Sequence, residues 1–228
     1  ALWINNFLDK ASALIKAWVD VFILDTAHWY QKTMIDAIKT FRKEFWSEIT
    51  LIAWNVCTPE ATKALIEAWA NWAKVGIWPW AMCTTRMMTW VWRPQFSAVY
   101  QCSKQAKKMW GFVIADGWIK DPRDICLALW AWASHIMMWT ILTWTFESTW
   151  DIFYDSDWFM FKQNYWMASG KAVMLRNIWL SPFEQAKKAL FQEWISTSKI
   201  YLRDWYKSVW DVIDKFCTWL RSSFTYVW

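Results

Sequence analysis

Apolar positions recur every three and four residues along most of this chain, the period of one face of an α-helix. Trp3, Phe7, Leu8, Leu14, Ile15, Trp18, Val19 and Phe22 hold this spacing, and Met34, Ile35, Ile38, Phe41, Phe45, Trp46 and Ile49 continue it. Asp9, Lys10, Lys16, Asp20, Lys32, Asp36, Lys39 and Lys43 fill the opposite face. No Gly or Pro interrupts Leu2 to Cys57. The pattern therefore predicts one amphipathic helix there, or two broken near Asp25-Thr26.

Thr58-Pro59-Glu60 has the chemistry of a helix start: a capping hydroxyl, Pro at the first helical position and an early acid. That helix is predicted to run through Ala64, Leu65, Ala68 and Trp72 and to stop at Gly76. Ile77 to Thr85 is an apolar loop or short helix. Arg93-Pro94 marks a boundary, because the residue before Pro avoids the helical region. Gln95 to Trp110 is a further predicted helix with Lys104, Lys107 and Lys108 on one side. Gly111 and Gly117 bracket Phe-Val-Ile-Ala-Asp, a short stretch with strand character. One isolated strand candidate does not predict a sheet.

The stretch Ile125 to Phe146 carries no Asp, Glu, Lys or Arg and is apolar on every side of a helix. Asp121-Pro122-Arg123-Asp124 before it supplies a cap, a first-turn Pro and an acid placed to reach back. An all-round apolar helix is either the centre of a bundle or a membrane span, and about 20 apolar residues suffice to cross a bilayer. Ser134, His135, Thr140, Thr143 and Thr145 would need partners in lipid, which favours a buried central helix. Asp151 to Asp157 is a predicted turn or cap, and a helix follows to Gly170. Ser181-Pro182-Phe183-Glu184 is a capping box that opens a last helix. Its apolar face holds Leu190, Trp194, Tyr201, Leu202, Trp205, Val209, Val212, Phe216 and Leu220. The expected fold class is all-α: a bundle of about six or seven helices around a central apolar helix, 125–146. It forms a single helical domain over 1–228, with weak sub-boundaries near 58, 121 and 181.

Composition sharpens this reading. The chain has 26 Trp but 4 Gly and 5 Pro, where average usage would give roughly 16 Gly and 11 Pro. Few breakers leave little room for hairpins, sandwiches or Gly-rich cofactor loops. Trp occurs in every segment, on polar and apolar faces alike, whereas an interfacial girdle or a binding patch would be localised. This spread favours an artificial, structural Trp-rich bundle without an evolved activity. The alternative is a binding module that holds a hydrophobic ligand or a lipid surface through amphipathic Trp-rich helices.

Candidate chemistry is sparse. The net charge of +5 comes from 25 basic and 20 acidic residues with interspersed signs, unlike the basic stripe of a nucleic-acid binder. Lys104, Lys107 and Lys108 beside Tyr100 and Trp110 fit a solvated helix face with snorkelling lysines. Cys57, Cys83, Cys102, Cys126 and Cys217 match no zinc spacing and no disulfide framework. With no visible N-terminal signal, they point to a reducing, cytoplasmic setting if the protein is cellular. His28 and His135 are the only histidines. His135 could ligate a haem in a bundle, but the expectation is a neutral, hydrogen-bonded core residue. Asp151, Asp155 and Asp157 lack the Gly and terminal Glu of a calcium loop. There is no nucleophile elbow and no phosphate-binding Gly-rich loop. The sequence thus assigns no catalytic, cofactor-binding or metal residues, no cofactor and no enzymatic activity. It implies no nucleic-acid partner and no particular oligomeric state.

Overall fold

The structure is a computed structural model describing residues 1–3, 6–26, 30–45, 49–77, 83–166, 169–190, 198–202 and 208–227. The chain divides into two compact units. The first comprises 1–77, 93–116 and 126–137, and the second 78–92, 117–125 and 138–228.

The first unit is built on a parallel sheet, and this overturns the all-α expectation. Its strands are β1 (Val21–Asp25), β2 (Thr50–Val56), β3 (Trp72–Val75), β4 (Phe112–Asp116) and β5 (His135–Met137). They lie side by side in chain order, every pair parallel. Helices α1 (Phe7–Lys16), α2 (Lys32–Glu44), α3 (Pro59–Glu67), α5 (Gln95–Lys107) and α6 (Pro122–Trp130) precede or connect them; α4 (Thr85–Thr89) lies in the other unit. A parallel sheet whose order never reverses has the winding of a β/α barrel, whereas an open doubly wound sheet has a switch point.

The helix-facing side of the sheet presents Phe22, Leu24, Leu51, Ala53, Ala73, Val75, Val113 and Ala115. They pack with Ala37, Ile38, Phe41, Leu65, Val99 and Cys102 from the helices. Small residues in the strands let the helices approach, and Phe41 fills the gap, its ring 5.6 Å from that of Phe22. Arg42, buried on α2, ties the helix to the turns beneath it. Its Nε donates to the Trp69 carbonyl at 2.7 Å and its Nη1 to the Ile49 carbonyl at 2.8 Å, while Nη2 reaches Asn71 Oδ1.

The second unit holds an antiparallel sheet of β6 (Ile152–Tyr154), β7 (Met160–Asn164) and β8 (Ser198–Tyr201), in that order. Helices α7 (Gly170–Arg176), α8 (Pro182–Ala189) and α9 (Val209–Val227) belong to it as well. Lys162 is buried on β7. Its ammonium donates to the carbonyls of Thr145 at 2.6 Å and Ser148 at 2.8 Å and to Ser148 Oγ at 2.9 Å.

The three Pro-marked helix starts form. Thr58 Oγ1 accepts from Ala61 N at 3.2 Å, Asp124 Oδ2 from Asp121 N at 3.0 Å, and Ser181 and Glu184 make a capping box. The predicted long elements do not. Leu2 to Cys57 is α1, β1, α2 and β2. The run Ile125 to Phe146 is the end of α6, then β5, then a short 3₁₀ turn at Thr140–Leu142, so no central helix exists. The last predicted helix is split by β8. Among the described residues, no helix is long and apolar enough to cross a membrane. The physical reason is common to all these corrections. A short apolar run fits a fully buried parallel strand as well as a helix face. The turns separating such runs are made at Trp18, Trp69, Trp110 and Trp132, all with positive φ, where glycine is the usual signal.

Candidate active site

The other side of the parallel sheet becomes polar at its carboxyl end. The register sets Asp25 beside Trp54, Trp54 beside Lys74, and Lys74 beside Ile114. Laterally paired residues share a face, and Asp116 lies two residues beyond Ile114, so it joins them. Lys74 and Asp116 are fully buried and form an ion pair. The Lys74 ammonium also lies 2.9 Å from the centre of the Trp54 ring, a cation–π contact.

Asn55 enters this cluster through an irregularity in the ladder. The register shifts between Trp54 and Val56, so Asn55 is the extra residue of a bulge, a device that re-aims a side chain. Its Nδ2 donates to the Gly76 carbonyl at 2.6 Å and to Asp116 Oδ2 at 3.1 Å. Gln95, at the start of α5, closes the other side. Its Nε2 donates to the carbonyls of Val75 at 2.8 Å and Asp116 at 3.0 Å. Gly76 is required by this closeness, since a Cβ there would sit 2.0 Å from the Asp116 carbonyl oxygen. Among the described residues, no donor meets Asn55 Oδ1 or Gln95 Oε1.

Burial dominates the electrostatics. It pulls the Lys74 ammonium down to about 8, although Asp116 and, more weakly, Asp25 favour its charged form. Asp25 is raised, mainly by burial, with Lys74 opposing the shift. A lysine still cationic at neutral pH, two carboxylates and two amides thus converge at the carboxyl edge of a parallel sheet. That edge is where β/α enzymes place substrates.

Other sequence candidates lie elsewhere. His135 begins β5, is exposed rather than a core residue, and meets the Trp72 ring edge-on at 4.4 Å. His28 lies outside the described residues. Asp155 Oδ1 accepts from the amides of Asp157 and Phe159 at 3.0 and 2.9 Å, which shapes the β6–β7 hairpin. Lys107 sits 3.9 Å from the centre of the Trp132 ring. In the second unit, Cys83 is a buried free thiol in the segment that follows β3 in the chain. The sequence reading assigned none of Asp25, Asn55, Lys74, Gly76, Gln95 and Asp116 to a site. One signal was available: the apolar runs Val-Phe-Ile-Leu-Asp and Val-Ile-Ala-Asp each end in a carboxylate, as strands leading into a site do.

Residues 3–227 match the IMP dehydrogenase / GMP reductase domain. GMP reductases of Mycobacterium bovis and Mycobacterium tuberculosis are 46% identical over 218 residues, 96% of this chain and 45% of theirs. An inosine-5'-monophosphate dehydrogenase of Staphylococcus aureus is 46% identical over 139 residues, 61% of this chain and 28% of its own. The chain thus spans less than half the length of these relatives. Identity of this extent to natural enzymes overturns the reading of an artificial bundle without activity, and with it the alternative of a lipid- or ligand-binding helical module. The Trp excess had suggested an origin outside natural usage, but the alignment runs through the Trp-rich segments. By the family match over residues 3–227 and the relatives at this identity, the chain belongs to the IMP dehydrogenase / GMP reductase family, a family of natural oxidoreductases.

Proposed function

We propose that this chain carries the nucleotide site of a purine-nucleotide oxidoreductase of the GMP reductase kind. The observation that carries the reading is the buried Lys74–Asp116–Asn55 cluster at the carboxyl edge of the sheet, in a chain aligned over 96% of its length with GMP reductases. Reduction of GMP to IMP forms a C–H bond at purine carbon 2 from a donated hydride. It breaks the bond to the exocyclic amine, which leaves as ammonia with protons from the medium. In this reading Asp116 and Asn55 accept hydrogen bonds from hydroxyl or N–H groups of the nucleotide. Lys74 pairs with the Asp116 carboxylate in its dry surroundings, and Gln95 and Gly76 hold the Asp116 backbone in place.

The test is the absorbance of a reduced nicotinamide dinucleotide, the general class of hydride carrier, followed on mixing the expressed chain with GMP. Oxidation that depends on GMP and releases ammonia is expected. Asp116→Asn, with unchanged circular dichroism, should lower kcat/KM about 10- to 100-fold, the worth of a hydrogen bond to a charged group. Reduction of the oxidised carrier by IMP, without activity on GMP, would instead establish the dehydrogenase direction. Inactivity on both nucleotides would refute the reading.

A further inference from the structure

Among the described residues, eight other than glycine have positive φ, and seven of them are Trp: Trp18, Trp69, Trp90, Trp110, Trp118, Trp132 and Trp158. The eighth is Asn6, a type that tolerates this region. The Trp values run from 57° to 73°, within the left-handed region that glycine enters freely and a bulky side chain avoids. Chance does not gather one bulky residue type at these positions.

The hydrogen bonds say what each position is. After α1, Trp18 N donates to the Ile15 carbonyl at 2.9 Å and Val19 N to that of Leu14 at 3.1 Å. After α3, Trp69 N donates to Ile66 at 2.9 Å and Ala70 N to Leu65 at 3.1 Å. After α5, Trp110 N donates to Lys107 at 3.5 Å and Gly111 N to Ala106 at 3.0 Å. After α6, Trp132 N donates to Leu129 at 2.9 Å and Ala133 N to Ala128 at 3.0 Å. These are four Schellman caps, each with Trp at the position glycine usually holds. Trp90 ends α4 in the left-handed conformation. Trp158 closes the β6–β7 hairpin, its N–H donating to Asp155 at 3.1 Å. Trp118 follows Gly117 beyond β4.

The most exposed of these side chains offset little of the strain. Trp18 and Trp110 are 95% and 94% exposed. Trp132 does meet Tyr100 and Lys107, and Trp118 meets Trp92 and Arg86, but these are surface contacts of partly exposed rings. The chain meanwhile has 4 Gly, far below the roughly 16 expected at this length.

We propose that these seven positions are glycine in the protein as its own cell makes it, the codon written here as Trp being read there as Gly. The UGA triplet is reassigned to Trp in some genetic codes and to Gly in others, so such an exchange needs no mutation. The proposal does not depend on which reaction the chain catalyses.

The experiment compares the chain as written with one carrying Trp18→Gly, Trp69→Gly, Trp90→Gly, Trp110→Gly, Trp118→Gly, Trp132→Gly and Trp158→Gly. Each change should raise the thermal midpoint by about 2 to 8 °C. Ala at the same positions, which keeps the Cβ clash, should gain less. Trp210→Gly and Trp219→Gly, both within α9, should lower the midpoint, because glycine weakens a helix interior. Peptide mass spectrometry of the protein from its source cells should find glycine at the seven positions. The proposal is overturned if that protein carries Trp there. It is overturned equally if glycine at these positions gives no gain, or gains no more than alanine.

Discussion

Replacing Lys74 by Met removes the cation that is paired with Asp116 inside the sheet. Lys74 and Asp116 are both fully buried. With the ammonium gone, Asp116 Oδ2 retains the amide of Asn55 at 3.1 Å, a neutral donor that does not offset a buried negative charge. Removing one partner of a buried ion pair costs about 3 to 5 kcal/mol, because the other charge is left without compensation. At about 2 to 4 °C per kcal/mol for a chain of this size, the midpoint of Lys74→Met should fall by about 6 to 20 °C. The double variant Lys74→Met/Asp116→Asn removes both charges while keeping the shape of the Asp116 side chain, and should recover most of the loss. Thermal unfolding at pH 7, followed by circular dichroism for the parent, both single variants and the double variant, gives the coupling directly. Equal losses for Lys74→Met and the double variant would refute the argument. They would mean that the Asp116 charge costs nothing once its partner is gone.

Two further outcomes follow from the same cluster. Asp25 has a raised pKa, so its contribution is present in acid and is lost as pH rises through the folded value. Asp25→Asn should thus be more stable than the parent at pH 7, and the two should converge below about pH 4. Gly76→Ala forces a Cβ against the Asp116 carbonyl and should lower stability by about 1 to 3 kcal/mol by overpacking, read by denaturant titration.

What the sequence determined by itself was local. Thr58, Asp124 and Ser181 mark helix starts because a cap bonds amides within a few residues, and that chemistry is visible in any short window. The turn at Asp155 is of the same kind. What the tertiary structure decided was everything that depends on distant partners. Whether Val21–Asp25 or Thr50–Val56 is a strand rests on a parallel neighbour contributed from far along the chain. Their apolar runs satisfy a helix face equally well, so periodicity assigned a bundle to what is a β/α fold. The stops that would have divided the runs were written as Trp, and only the observed backbone shows them to be left-handed turns. The site lies beyond sequence for the same reason. Asn55, Lys74 and Asp116 belong to three different strands, each unremarkable in its own segment. The sheet register alone brings them to one face, and burial there gives an ordinary lysine and an ordinary aspartate their altered chemistry.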